Sequence, residues 1–308
     1  MNDSSQKLLK DELQSMRVMI TGASGQLGYD LIRTLNSRHR LNALSRRQLD
    51  VTDEEAVQSA VQKFRPDVII HTAAYTDVDG AESAREQAFA VNGAGTRNVA
   101  VAAEQAGTRM VYISTDYVFD GKGKSPYTEF ETPSPINVYG KSKLAGEHYV
   151  QMFCSRYYIV RTAWLYGIAG QNFVTRIISL ASDKGKISAV VDQIGSPTYT
   201  LDLAEWIGFL ILTRKYGIYH AVNQGFCSRY EWVRAVLEDI RADGVKLLPA
   251  RADEFKMPAA RPAYAPLDGL AARVSGLPAI RNWRSALRAF INEDLHWNSS
   301  NRRGDQKR

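Results

Sequence analysis

The chain has 308 residues, 44% hydrophobic and 23% charged, which suits one large α/β domain or two unequal ones. Its formal charge of +6 does not make it a nucleic-acid binder. Half of the excess lies in the tail 298–308, and no groove-reading motif or aromatic–basic interleaving accompanies it. The same mild positive balance suits an anionic cofactor and a diphosphate substrate. Cys154 and Cys227 form neither a C-x-x-C pair nor a disulfide framework. The polar stretch 1–15 lacks the apolar core of a secretory signal, and the apolar run 207–212 is far short of a membrane span. No membrane contact is expected, and the expected compartment is the cytoplasm.

A first strand is expected over 17–21. Gly22-Ala23-Ser24-Gly25-Gln26-Leu27-Gly28 follows, spaced G-x-x-G-x-x-G instead of the commoner G-x-G-x-x-G of dinucleotide sites. The physical demands are shared: a tight turn, backbone close to a pyrophosphate, and a helix N-terminus aimed at the anion. An amphipathic helix over 26–36 supplies that context. Gly22, Ser24, Gly25, Gln26, Leu27 and Gly28 are therefore candidate cofactor contacts, with a plain structural turn as the alternative. The second strand, 41–45, runs into Arg46-Arg47 with no acid until Asp50. An acid at that point holds the ribose 2′-hydroxyl of NAD, whereas an arginine accommodates a 2′-phosphate. The expectation is NADPH, with NADH as second choice, Arg46 on the phosphate and Asp50 with Val51 at the adenine. Asp53 reads as a helix N-cap.

Further strands are expected over 67–72, 109–115 and 157–162, with helices near 53–64, 82–106 and 137–153. This alternation predicts a Rossmann-type doubly wound parallel sheet covered on both faces. Ligands in such sheets bind beyond the carboxyl ends of the strands. Gly22, Arg46, Ala73-Ala74-Tyr75 and Ser114-Thr115-Asp116 all fall there, which adds Ala73, Ala74 and Tyr75 to the cofactor contacts. In the helix over 137–153, Tyr139 and Lys143 are spaced i, i+4 and share a face. A phenol has a pKa of about 10, and a neighbouring cation favours its ionised form. Beyond residue 165 the pattern loosens: helices near 172–183, 201–214 and 228–241, strands over 187–191 and 217–222, and a loop over 258–267. This half is expected to be a smaller α/β substrate-binding domain. Residues 16–168 are then the NAD(P)-binding domain. Residues 169–296 are mainly the substrate domain, with segments interleaved with the first. The ends 1–15 and 297–308 are expected to be disordered. Five histidines lack metal-ligand spacing; His71 and His220 read as structural.

Thr21 to Gly28, together with Tyr139 and Lys143, resemble the extended short-chain dehydrogenase/reductase family. More narrowly, several stretches resemble its dTDP-4-dehydrorhamnose reductases. They are the segments 71–79, Ser114-Thr115-Asp116-Tyr117-Val118-Phe119-Asp120-Gly121, 135–143 and 161–167. Asp192-Gln193-Ile194-Gly195-Ser196-Pro197-Thr198 and Arg261-Pro262 complete the set. The resemblance runs over about residues 16–295.

It implies transfer of hydride from NADPH to C4 of a dTDP-4-keto-6-deoxy sugar nucleotide, giving dTDP-L-rhamnose. Tyr139 would protonate the carbonyl oxygen and Lys143 would bond the nicotinamide ribose. Thr115 would donate to the same oxygen or tune Tyr139. Thr115, Asp116 and Tyr117 would face the deoxysugar, Trp164 would cover it or the thymine, and Asn172 and Arg261 would hold the diphosphate or sugar. Some members bind magnesium through acidic residues at a dimer contact. Here that position offers Tyr29-Asp30 and no other ligand is assigned, so the metal and the choice between monomer and homodimer stay open. Two alternatives remain: a nucleotide-sugar 4-epimerase, and a non-catalytic NADP-binding regulatory subunit of the methionine adenosyltransferase type. A 4,6-dehydratase carries Asp-Glu where this chain has Asp116-Tyr117, so the carboxylate needed to eliminate water is missing there.

Overall fold

The computed structural model describes residues 15–297 apart from Lys184. The expectations for the two chain ends therefore lie outside the described residues, except at positions 15 and 297. Six strands form the central sheet: β1 (Arg17–Thr21), β2 (Arg40–Leu44), β3 (Val68–His71), β4 (Arg109–Thr115), β5 (Tyr157–Thr162) and β7 (Gly217–His220). They are all parallel, in the order β7-β5-β4-β3-β1-β2. The chain winds outward from β1 to β2, then returns to β3 on the other side. That reversal opens the crevice between β1 and β3 where such sheets take their ligands.

Strand alternation divides the core between the two faces. Val18, Ile20, Val68, Ile70, Val111 and Val160 point to one side, against α1 (Gln26–Leu35) and α6 (Thr200–Leu210). Met19, Ile69, Met110, Tyr112 and Ile159 point to the other, against α2 (Glu54–Phe64), α3 (Thr96–Gln105) and α4 (Val138–Phe153). Val68, Ile69 and Ile70 are fully buried, the pattern of a strand covered on both faces.

A smaller unit joins β6 (Lys186–Val190) in parallel to β8 (Lys246–Ala250), with α5 (Phe173–Ser182), α7 (Arg229–Asp239) and α8 (Trp283–Ala289). Its core gathers Tyr166, Val174, Trp232, Val236 and Phe290. Helix α6 and strand β7 return to the large sheet before the chain re-enters this unit at α7.

Two expectations differ from the structure. The continuous helix over 82–106 is divided into Gly80–Ser83, Arg85–Phe89, a π-helical turn Ala90–Gly95, and α3. Gly93 and Gly95 weaken helical preference there, and the Asn92 side chain is drawn to the backbone of Tyr75. Strand β8 and helix α8 were not expected. Pro249 disguises β8, but an edge strand tolerates a residue with no N–H to give. The loop over 258–267 is irregular as expected, and isolated bridges tie Tyr264 to Lys122 and Ile194. Both cysteines are buried and free. Among the described residues, no helix is long and apolar enough to cross a membrane.

Candidate active site

A cleft of about 880 Å³ opens along the carboxyl edge of the sheet, lined by the glycine loop, the ends of β2 to β5, and the start of α4. In the loop, Gly22 has φ +72° and Gly25 sits in extended conformation before α1. Helix α1 has no side-chain cap and no acid in its first turn, so its N–H groups and positive dipole end are left for an anion. A Cβ on Gly28 would lie 2.5 Å from the Gly22 carbonyl oxygen, so the loop folds this tightly only with glycine there. Buried Gln26 Oε1 has no partner among the described residues. Arg46, Asp50 and Val51 line the same cleft after β2. Asp50 accepts from the Thr52 backbone at 3.0 Å and its hydroxyl at 2.8 Å, and these bonds hold its pKa below the usual carboxylate value. These features fit a dinucleotide carrying an extra phosphate: an uncapped helix end, backbone bared by glycine, and a cation where NAD sites carry an acid.

The third strand delivers Ala73, Ala74 and Tyr75 to the cleft wall. Buried Asn92 fixes that segment, accepting from the Tyr75 N–H at 2.8 Å and donating to its carbonyl at 3.0 Å. It also donates to Ser142 Oγ on α4 at 2.9 Å.

Asn137 caps α4 by accepting from the Gly140 N–H at 2.7 Å, which sets Tyr139 and Lys143 into the cleft lining. Burial raises the Tyr139 phenol's pKa above that of a free phenol, and neighbouring Thr115 lowers it by less. Lys143 Nζ donates to the Ile113 carbonyl at 2.7 Å and lies 4.2 Å from the Tyr112 ring centroid. Burial pulls its pKa down to about 7, opposed by Glu147. A neighbouring cation is expected to favour the ionised phenol; here desolvation is the largest influence on Tyr139, and the Lys143 ammonium is bonded to the end of β4.

Thr115 Oγ1 donates to Asp116 Oδ1 at 3.0 Å, and burial pushes the Asp116 carboxyl up to about 7. Tyr117 and Trp164 complete this wall. Trp164 adopts φ +46°; its indole stacks on Trp232, ring centroids 5.4 Å apart, and lies where a Cβ on Gly195 would be, 2.4 Å away.

The family model described as RmlD substrate binding domain matches residues 16–296. A dTDP-4-dehydrorhamnose reductase from Streptomyces griseus is 42% identical, covering 88% of this chain and 91% of that protein. One from Mycobacterium tuberculosis is 40% identical, covering 94% and 97%. The chain belongs to the dTDP-4-dehydrorhamnose reductase family. It is an enzyme of that oxidoreductase type. Its fold is similar to the crystal structure of the family member from Bacillus anthracis in complex with NADP: TM-score 0.88, 45% identity, 91% of this chain and 100% of that one.

Two residues expected at the substrate sit outside the cleft lining of this family member. Asn172 caps α5, accepting from the Thr175 N–H at 3.1 Å and donating to the Gly167 carbonyl at 2.7 Å. Arg261 spends its fork on Asp79, at 2.6 and 2.5 Å. Asp30, the position considered for magnesium, is fully buried and accepts from Thr200 at 2.5 Å; its pKa is raised by burial. Among the described residues, no group of three or more His, Cys, Asp or Glu could hold a metal ion.

Sequence reasoning passed over Glu147, Arg161 and Arg229. Glu147 lies one helical turn beyond Lys143, and that i, i+4, i+8 spacing from Tyr139 was its only signal. It is buried and bonds Arg161 bidentately at 2.9 and 2.7 Å, while Ser114 Oγ donates to it at 2.5 Å. A fully paired buried ion pair of this kind fixes geometry more than it adds stability. Here it ties α4 to β4 and β5, directly behind the lining residues. Arg229 lines the cleft at the start of α7.

Proposed function

We propose that this protein catalyses the NADPH-dependent reduction of the C4 keto group of dTDP-4-dehydro-L-rhamnose to give dTDP-L-rhamnose. The observation that carries the reading is the meeting, in one cleft, of Thr115, Tyr139 and Lys143 with the glycine loop and Arg46. The NAD(P)-binding part is read as residues 16–168, and the substrate part mainly as 169–296.

NADPH, bound with its pyrophosphate at the start of α1 and its 2′-phosphate at Arg46, would supply the hydride. Negative charge then grows on the substrate's carbonyl oxygen, and Tyr139 neutralises it by donating its proton. Burial favours this role, because it keeps the phenol protonated until the acceptor becomes basic. Lys143 stabilises the phenolate left behind. Thr115 would orient the phenol, and its bond to Asp116 brings a second titratable group close to it. General acid catalysis of this kind contributes about 10²- to 10⁴-fold.

The test is incubation of the full chain with dTDP-4-keto-6-deoxyglucose, a 3,5-epimerase and NADPH. The expected outcome is loss of NADPH absorbance with formation of dTDP-L-rhamnose. NADPH binding without turnover would favour the regulatory-subunit reading, and sugar epimerisation without net NADPH oxidation the epimerase.

A further inference from the structure

We propose that Arg229 anchors the diphosphate of the sugar nucleotide, held in register by the face of Trp164; this rests on the reductase reading above. Arg229 opens α7 immediately after Ser228. The Ser228 side chain accepts from the Glu231 N–H at 3.1 Å, and Glu231 in turn accepts from the Ser228 N–H at 2.7 Å. The Arg229 N–H donates to the Gln193 carbonyl at 3.1 Å, so the backbone that carries the guanidinium is fixed on both sides. The guanidinium carbon lies 3.5 Å from the Trp164 ring centroid, 5.1 Å from that of Phe173 and 5.5 Å from that of Trp232. Three aromatic rings thus hold a planar cation at the edge of the cleft, beside Asp116 and Tyr117.

What this cation lacks is an anion. Arg161 has Glu147 and Arg261 has Asp79, whereas Arg229 forms no ion pair among the described residues. Asp116 attracts it only from beyond ion-pair distance, and burial draws the pKa of Arg229 down to about 10. A half-buried charge pressed against aromatic rings without an ionic partner is costly, and a bound phosphate would relieve that cost. The guanidinium fork matches phosphate oxygens bidentately. Position agrees as well: the β-phosphate is attached to C1 of the ring whose C4 is reduced, so its anchor belongs within one sugar ring of Tyr139. Arg229 shares the cleft wall with Thr115 and Asp116. Arg261, which the Arg-Pro motif offered for this task, is occupied by Asp79.

Calorimetric titration of the full chain with NADP⁺ bound tests this, using dTDP and thymidine as probes. The wild type should bind dTDP more tightly than thymidine. Arg229→Gln should weaken dTDP by about 10- to 100-fold while leaving thymidine unchanged. Arg229→Lys, a point charge without the fork, should fall between the two. In turnover, KM for the keto-sugar nucleotide should rise with dTDP affinity loss, and kcat should change less. NADPH titration checks that each variant is folded; if Arg229→Gln fails that check, Arg229→Lys carries the test. A folded variant that binds dTDP as the wild type does, or that loses dTDP and thymidine equally, overturns the assignment. A wild type that neither binds dTDP nor reduces the keto sugar removes the reductase reading and this inference with it.

Discussion

Lys143 Nζ and the Ile113 carbonyl oxygen are 2.7 Å apart, which ties the ammonium to the end of β4 beneath the Tyr112 ring. The arrangement divides labour between the two residues of the Tyr-x-x-x-Lys pair. Burial keeps the Tyr139 phenol protonated and brings Lys143 down to about 7, close to its own neutralisation. A reductase needs a protonated donor before hydride arrives and a cation beside it afterwards. Lys143 is therefore one of two groups in the site whose charge is at stake near neutral pH, the other being Asp116.

Lys143 carries its charge below its folded pKa and loses it above. If the ammonium stabilises the forming phenolate, kcat should be highest on the acid side and fall as pH rises through about 7. Glu147 raises the Lys143 pKa, so Glu147→Gln should move the fall to lower pH. The measurement is kcat against pH at saturating NADPH and substrate. A profile flat between about pH 6 and 9 would contradict the role given to Lys143.

On the proposed mechanism, Tyr139→Phe should remove the proton donor and little else. Thr115 keeps its bond to Asp116 at 3.0 Å, so the substitution strands no buried hydroxyl. NADPH binding, followed by fluorescence titration, should be retained. Turnover should fall by about 10²- to 10⁴-fold. Wild-type turnover in this variant would mean that another group delivers the proton.

Gly28→Ala tests the cradle at the start of α1. The new Cβ would meet the Gly22 carbonyl oxygen at 2.5 Å and Ala23 Cα at 2.8 Å. Both are backbone atoms, so the loop itself must move. The expected result is a loss of about 1–3 kcal/mol in urea denaturation, with NADPH affinity reduced at least tenfold. Unchanged NADPH affinity would show that the loop does not hold the pyrophosphate.

Local pattern carried the sheet well. β1, β4 and β5 begin and end where their apolar runs do, because each is bounded by loop residues and buried on both faces. The same locality made the glycine loop and Arg46 readable, since strand, turn and helix are contiguous in sequence. What escaped depends on contacts across the chain. The segments carrying Asp79 and Arg261 are both legible in the sequence, but their ion pair spans 182 positions and nothing local announces it. Gly195 belongs to the Asp-Gln-x-Gly stretch, and its reason for being glycine is the Trp164 indole. Arg229 had no motif at all; only the folded chain brings it to the cleft. The division at 82–106 turns on Asn92, whose side chain answers to Tyr75 instead of to its own helix.

Arg46 gives the sharpest cofactor test. It lines the cleft after β2, where the 2′-phosphate of NADPH would sit. Arg46→Ala should lower kcat/KM for NADPH by about 10- to 100-fold and leave that for NADH nearly unchanged. The ratio of the two, measured on one preparation, removes errors in active concentration. A wild type that already prefers NADH would defeat the assignment.

Acid stability tests the reading of His71 as structural. Fully buried between the Thr21 hydroxyl at 2.7 Å and that of Thr96 at 3.1 Å, it has its pKa lowered from 6.5 to about 3, chiefly by burial and then by Lys143. Between those values the unfolded chain takes up a proton that the native state refuses, so acidification costs stability, by about 1.4 kcal/mol per pH unit. The overall profile mixes several groups: His220 acts in the same direction, and Asp116, raised to about 7, in the opposite one. A difference isolates the residue. His71→Gln does not titrate, so whatever stability it loses relative to wild type at neutral pH should shrink as pH falls below 6.5. Urea midpoints of both proteins at matched pH measure that gap, and a gap constant down to about pH 5 would mean that His71 is protonated in the native state.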